Sequence, residues 1–236
     1  MVTKQKISQS DKPFRCEYCG NGFVKEKTLF AHLCEKKRRA LAKDEKHVRL
    51  GYFTYKRFFK LSVGQSKTEK TYEEFSSSPY YNAFVKFGSY LSNVKPLHPE
   101  KYIDYIVTSG VKLDNWCSDK LYEEYALNYI LKEDCTVALE RSINTMVEWA
   151  KENNSSYQHY FLYASSNRIV RDIRDGKVSP WLMLNCKSGK DMLNKLNDEQ
   201  LDMIYNVVDP KKWTIRFGRE PENVQLVKEI VKDAKL

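Results

Sequence analysis

Between residues 35 and 61 the apolar positions repeat with the period of an α-helix. On a helical wheel they fall within a stripe about 60° wide, and its members are Leu41, Val48, Tyr52, Tyr55 and Phe59. This pattern predicts one long helix over Glu35 to Leu61 whose apolar stripe packs against a core. A glycine inside a helix is unfavourable by about 1 kcal/mol relative to alanine, so Gly51 leaves two shorter helices as an alternative.

Proline and glycine punctuate the rest of the chain as they do in helical proteins. A proline stands where a first helical residue is expected at Pro79, Pro99, Pro180 and Pro221. Gly110 and Gly176 stand where helices need a C-terminal cap. We therefore expect helices near residues 79–91, 99–109, 118–132, 136–152, 157–174, 198–207 and 221–234. Trp213 to Phe217 is the one strand-like run of this region, so the fold class is predicted to be mainly α.

The N-terminal segment has a different pattern, in which cysteine and histidine stand at the spacing of metal ligands. Cys16 and Cys19 are separated by two residues, and twelve residues then lead to His32, with Cys34 shortly after it. Thiolate and imidazole are ligands that Zn²⁺ prefers, and this spacing leaves room for a short hairpin and a helix. The small core that such an ion would close is predicted to consist of Phe14, Phe23 and Leu29.

As far as His32, this segment resembles the zinc finger with two cysteines and two histidines. The family has its second histidine a few residues later, where residues 36–38 are basic here, and Cys34 takes its place. Residues two apart on a helix point about 200° apart, so the helix has to unwind at His32 for both side chains to reach one ion. His47 is an alternative fourth ligand. We predict a Zn²⁺ site with the ligands Cys16, Cys19, His32 and Cys34.

The same resemblance implies which positions of the finger helix would face DNA bases. They correspond to Lys25, Thr28 and Ala31, of which only Lys25 offers a strong contact to guanine. One finger covers about three base pairs, so sequence-specific recognition by this module alone is not expected. Phe30 stands on the outward side of the helix, which predicts that the helix packs on the body of the protein or on a partner.

Positive charge is concentrated in the first quarter of the chain. Residues 1–62 hold 16 Lys and Arg against 6 Asp and Glu, whereas residues 63–236 hold 24 against 25. Cations on one face of a rigid element bind phosphates and release counterions, although an acidic protein surface would be attracted equally. We predict a nucleic-acid surface, with DNA favoured over RNA, that is formed by Lys25, Lys36, Lys37, Arg38, Arg39, Lys43, Lys46, Arg49, Lys56, Arg57 and Lys60.

The remaining composition points to an intracellular setting. The N-terminus is polar, and no window approaches the roughly 18 uninterrupted apolar residues that a membrane-spanning helix needs. Outside the finger the cysteines are scattered singly, as is usual for reduced thiols in a cytosol, at Cys117, Cys135 and Cys186. We therefore expect a cytoplasmic protein without a membrane partner.

The body carries no sharp catalytic signature, so a non-catalytic function is expected. A nuclease or nucleotide-modifying enzyme is a further alternative, because an acidic cluster could hold a catalytic metal ion. At a predicted helix start, acidic side chains more simply complement the helix dipole. The cluster consists of Asp114, Asp119, Glu123 and Glu124.

These patterns divide the chain into a zinc finger over 1–34, a basic helix over 35–62 and an all-α body over 63–236, with a polar linker at Ser62 to Lys70. We expect a nucleic-acid-associated accessory protein whose body binds another protein. The alternative is an assembly factor whose basic face docks on an acidic protein. The finger running into the basic stretch that ends at Arg39, and the tyrosine-rich body, resemble uncharacterised zinc-finger proteins of large contractile-tailed bacteriophages. That resemblance implies the host cytoplasm during infection.

Overall fold

Helices dominate the structure of this protein. A computed structural model describes residues 12–62 and 69–236, so residues 63–68 of the predicted linker lie outside the described residues. In these ranges it confirms the mainly α class, with a two-stranded sheet near the N-terminus followed by helices. None of the described helices is both long and apolar enough to cross a lipid bilayer. The chain forms two compact units, Met1–Ser118 and Asp119–Leu236, and the predicted three-part division remains a prediction.

The first unit begins with the finger. Strands β1 (Phe14–Arg15) and β2 (Gly22–Phe23) form an antiparallel hairpin in which Phe14 lies opposite Phe23. The helices that follow are α1 (Glu26–Ala31), α2 (Glu35–Leu41), α3 (Lys46–Ser62), α4 (Tyr72–Ser77), α5 (Tyr81–Val94) and α6 (Pro99–Thr108). Helix α6 begins at its proline, as predicted, whereas α5 begins two residues after Pro79.

The basic segment consists of two helices, so the single helix predicted over Glu35 to Leu61 is wrong. After α2, a 3₁₀ turn spans Ala42–Asp44, and the backbone of Glu45 is extended at φ −64° and ψ 136° before α3 begins. The break therefore lies ahead of Gly51. The predicted apolar stripe also divides there, because Leu41 is 63% exposed whereas Val48 on α3 is buried.

Gly51 lets two helices approach closely. A β-carbon at Gly51 would lie 2.8 Å from the carbonyl oxygen of Phe84, and one at Gly88 would lie 2.1 Å from the carbonyl oxygen of His47. Both carbonyls belong to the backbone of the facing helix, so neither can turn aside as a side chain could. The two glycines thus mark the contact between α3 and α5, and Gly51 does not mark a helix end.

Aromatic side chains form much of the core that holds α3. The buried ring of Trp116 contacts the rings of Phe58, Phe84 and Phe87 at centroid distances of 6.0, 6.0 and 5.3 Å. The Trp116 indole N–H donates to the carbonyl oxygen of Val111 at 2.8 Å. The polar atom of this buried ring is therefore paired, and α3 is anchored on its apolar side.

The second unit is built from shorter helices around α8. Its helices are α7 (Asp119–Ile130), α8 (Cys135–Glu152), α9 (Tyr160–Tyr163), α10 (Ser166–Arg174), α11 (Pro180–Met183), α12 (Lys187–Leu193), α13 (Asp198–Val208), α14 (Pro210–Arg219) and α15 (Pro221–Asp233). Helices α11 and α15 begin at their prolines, as predicted. The single helix predicted over 157–174 is divided, because Ala164 and Ser165 are extended and the Ser165 hydroxyl caps α10.

The strand-like run Trp213 to Phe217 is helical, so that part of the prediction is wrong. It lies inside α14, which Pro210 starts and the Asp209 carboxylate caps by accepting from the Lys211 N–H. Its bulky residues pack at helical spacing, since the rings of Trp213 and Phe217 lie 5.4 Å apart.

An arginine connects the aromatic centre of the second unit to the end of α7. The Arg216 guanidinium lies over the rings of Trp181 and Trp213, at 4.8 and 5.3 Å from their centroids. It also donates to the carbonyl oxygens of Ile130, at 3.1 Å, and Glu133. This cation is therefore part of the unit's packing.

Candidate metal centre and basic surface

The hairpin of the finger positions the first two metal-ligand candidates. The Cys16 N–H donates to the carbonyl oxygen of Asn21 at 2.9 Å, and the Gly20 N–H donates to the carbonyl oxygen of Cys16 at 2.8 Å. Gly20 has φ +74°, a left-handed conformation that favours glycine. This tight turn folds the chain back so that the side chains of Cys16 and Cys19 share one side.

The other two candidates lie where the helix ends, as the sequence predicts. Helix α1 stops at Ala31, and His32 is extended at φ −72° and ψ 116°. Cys34 is also extended, at φ −74° and ψ 163°, and is the N-cap residue of α2. On a continuous helix, residues two apart point in nearly opposite directions. Because the chain is extended at His32 and Cys34, the side chains of both residues can lie beside Cys16 and Cys19.

The four side chains meet at a distance that suits one metal ion. The ligand atoms of Cys16, Cys19, His32 and Cys34 all lie within 4.8 Å of one another. The Cys16 and Cys34 sulfurs are 4.0 Å apart, and the Cys19 sulfur is 3.3 Å from His32 Nε2. Around tetrahedral Zn²⁺, two sulfurs stand about 3.8 Å apart and a sulfur and a nitrogen about 3.6 Å. The cluster is therefore compatible with zinc, and His47 lies outside it, 3.3 Å from the Glu45 carboxylate.

Hydrogen bonds around the cluster orient its ligands. The Lys37 backbone N–H donates to the Cys34 sulfur at 3.4 Å, and the Lys37 amine donates to the carbonyl oxygen of His32 at 3.4 Å. Burial alone would raise the pKa of Cys16, but backbone N–H groups of Cys19 and Tyr18 donate to its sulfur and hold its pKa below the ordinary value. The backbone N–H of Asn21 lowers the pKa of the neighbouring Cys19 thiol, but burial and the thiols of Cys16 and Cys34 outweigh it and leave that pKa raised. Metal binding has to deprotonate both thiols.

Three of the predicted phosphate-binding cations are engaged within the first unit. Arg39 donates to the carbonyl oxygen of Ser76 at 2.6 Å and lies over the Tyr81 ring at 4.3 Å, so it ties α2 to the chain around α4. The Arg57 guanidinium pairs with the Asp104 carboxylate, and the Lys56 amine lies 2.6 Å from a Glu69 oxygen. No spacing rule in the sequence reveals these partners, because they lie 13 to 47 residues away.

Other cations of the predicted surface face solvent. Among the described residues no salt bridge to an acidic side chain involves Lys25, Lys36, Arg38, Lys43, Lys46, Arg49 or Lys60, all of which are exposed. On α3, the basic positions fall within a stripe about 100° wide opposite the buried face that includes Val48 and Tyr55. Lys37 is half-buried beside the metal cluster. The seven exposed cations together form what we call the basic surface.

Phe30 remains uncovered. Its side chain is 88% exposed, the largest exposure among the large apolar side chains in the described part of the chain. The expectation that α1 packs through Phe30 on the protein's own body is therefore wrong, and a partner that covers this side chain stays a prediction. The Tyr18 side chain, 36% exposed, was not a candidate from the sequence, because nothing in its spacing links it to Phe30.

Known proteins give no guide to this arrangement. The chain matches no protein-family model, no curated protein and no solved structure.

Proposed function

We propose that this protein is a non-catalytic, nucleic-acid-associated accessory protein that binds the phosphate backbone through its zinc-stapled N-terminal region. Zn²⁺ is proposed to be held by Cys16, Cys19, His32 and Cys34. Four protein ligands fill a tetrahedral shell, which is typical of structural sites and not of catalytic sites, where one position stays open. The proposed ion fixes the hairpin, α1 and the start of α2 relative to one another.

The observation that carries the proposal is the exposure of cations in a region with a large charge excess. Residues 1–62 hold 16 basic and 6 acidic side chains, and the seven cations of the basic surface face solvent. Phosphate binding requires several cations on rigid elements and no particular base contact. Helix α1 is short, with six residues. Of its three base-facing positions only Lys25 offers a strong contact to guanine. Binding of the phosphate backbone therefore suits the finger better than sequence recognition.

We propose that the second unit supplies the protein contact. Its exposed apolar side chains include Tyr163, Ile215 and Met203, at 70%, 56% and 48% exposure. A partner that covered these apolar side chains would remove them from water, which is favourable. The proposed setting is cytoplasmic, and the host cytoplasm if the bacteriophage resemblance reflects its origin.

Neutralising part of the basic surface is expected to weaken nucleic-acid binding. The variant combines Lys36→Gln, Arg38→Gln, Lys46→Gln and Arg49→Gln, which spares Arg39 because of its structural contacts. For duplex DNA, log K falls with log salt, and each lost phosphate contact makes this negative slope shallower by about 0.9. We expect the magnitude of the slope to decrease by about 3 to 4. Fluorescence anisotropy with labelled duplex DNA and RNA, between 50 and 200 mM salt, measures it.

The matched control neutralises four exposed lysines of the second unit, Lys187, Lys195, Lys228 and Lys232, each changed to glutamine. It should bind as the wild-type protein does. Equal binding by both variants would mean that the basic surface makes no phosphate contact. A wild-type protein that binds neither polymer would overturn the proposal and favour an acidic protein partner.

A further inference from the structure

A cavity lies where the three elements joined by the metal ligands converge. It has a volume of about 210 Å³, smaller than the pockets of drug-sized ligands. The hairpin contributes Arg15 and Tyr18 to its lining, α1 contributes Phe30 and Leu29, and α2 contributes Lys37. Because the metal ligands come from the same three elements, the proposed ion would also fix the shape of the cavity.

Two aromatic rings border this cavity and remain open to solvent. Phe30 is 88% exposed and Tyr18 is 36% exposed. A single exposed apolar residue is common on protein surfaces, but two aromatic residues at one cavity form a surface on which a planar group can stack. Stacking on such rings is favourable for every nucleobase, because each base has a π-face.

Charged groups of both signs stand around these rings. Arg15 is exposed at the cavity and can bind the phosphate next to a stacked base, the Lys37 amine lines the cavity while it donates to the His32 carbonyl oxygen, and the basic surface continues along α2 from Lys36. Glu17 and Glu26 also line the cavity, and their carboxylates can accept hydrogen bonds from the amino groups of a base. An apolar peptide would satisfy the aromatic rings but not these four charges.

We propose that this cavity binds an unpaired base of a single-stranded nucleic acid, with Phe30 and Tyr18 as the stacking surface. The inference deepens the proposed function and rests on it. The faces of bases in a duplex are covered by their neighbours, so only an unpaired base can enter. The protein therefore prefers single strands over duplexes of the same length, and the preference comes from the finger.

Removing the Phe30 ring tests this preference. Phe30→Ala is expected to weaken binding of a labelled single-stranded 12-mer about tenfold or more, while duplex binding changes less than twofold. Phe30→Tyr should bind as the wild type does, and Phe30→Leu should resemble Phe30→Ala because leucine keeps apolar area without a π-face. The zinc content of each variant, measured with a chromogenic chelator, checks that the finger is intact.

Tyr205→Ala is the matched control, since it removes an aromatic ring that is 51% exposed in the second unit. It should leave single-strand binding unchanged. A Phe30→Ala protein that binds single strands as the wild type does, or a Phe30→Leu protein that does so, would overturn the stacking inference while leaving phosphate binding in place. A wild-type protein that binds neither form of nucleic acid would overturn the proposed function itself.

Discussion

Replacing Cys16 with serine is expected to abolish stoichiometric zinc binding and to unfold the finger. Even the loss of an outer hydrogen-bond partner weakens metal sites about 10 to 100-fold, so the loss of a direct ligand should weaken binding by more than about 100-fold. The buried Cys16 sulfur lies 4.0 Å from that of Cys34. Without an ion, these thiols and His32 have no shared partner, and a hairpin of two-residue strands with a six-residue helix is too small to fold alone.

Two measurements check this expectation. Zinc content should fall from one ion per chain to nearly none, and amide hydrogen exchange over residues 14–32 should become fast. Cys117→Ser is the control, because Cys117 lies outside the cluster of four ligand candidates. A Cys16→Ser protein that keeps one tightly bound zinc would refute the assignment of this ligand.

Chelation of the wild-type protein should have the same local effect. Binding free energy at a structural site is also folding free energy, so removal of the ion should accelerate exchange in β1, β2 and α1. Exchange in the second unit, Asp119–Leu236, should not change. A finger that stays protected after complete removal of zinc would show that its apolar core suffices.

Changing Gly88 to alanine is expected to destabilise the first unit by about 2 kcal/mol. The new β-carbon would lie 2.1 Å from the His47 carbonyl oxygen and 2.7 Å from the Gly51 nitrogen. Forcing such backbones apart costs about 3 kcal/mol, and the higher helix propensity of alanine recovers about 1 kcal/mol. Overpacking therefore wins, and slowly exchanging amides of α3 and α5 should report the loss.

Gly218→Ala is the matched control, because Gly218 also lies in a helix but its added β-carbon would meet nothing within 4 Å. That change should be neutral or stabilise α14 by up to about 1 kcal/mol. If Gly88→Ala proves as harmless as Gly218→Ala, α3 and α5 are less closely packed than the structure indicates.

The finger was predictable from the sequence because its determinants are local. The spacing from Cys16 to Cys34 spans 18 positions, and the geometry of a helix alone demands the unwinding seen at His32. Helices also begin as expected at Pro99, Pro180 and Pro221. Proline favours the first helical position because it lacks a backbone N–H and its φ angle is fixed. The proline signals act on the next few residues, and the ligand spacing is recognisable because all four ligands lie within one 19-residue segment.

The features that the sequence did not reveal depend on distant partners. Gly51 reads as a helix breaker until Gly88, 37 positions later, is seen facing it across α3 and α5. Arg39 reads as a surface cation until Ser76 and Tyr81 are placed beside it. A helical wheel places all the cations of residues 36–60 on one face only if the helix is unbroken. The extended backbone of Glu45 separates α2 from α3, so the cations of the two helices do not share one helical face.

The double role of Cys34 has a thermodynamic consequence. One sulfur atom is both a metal-ligand candidate and the group that accepts the Lys37 N–H in the first turn of α2. Ion capture and the ordering of that turn are therefore linked equilibria, in which each increases the probability of the other. Lys36 and Arg38 lie on the same short helix. The affinity of the protein for a polyanion would therefore increase and decrease with the free zinc concentration.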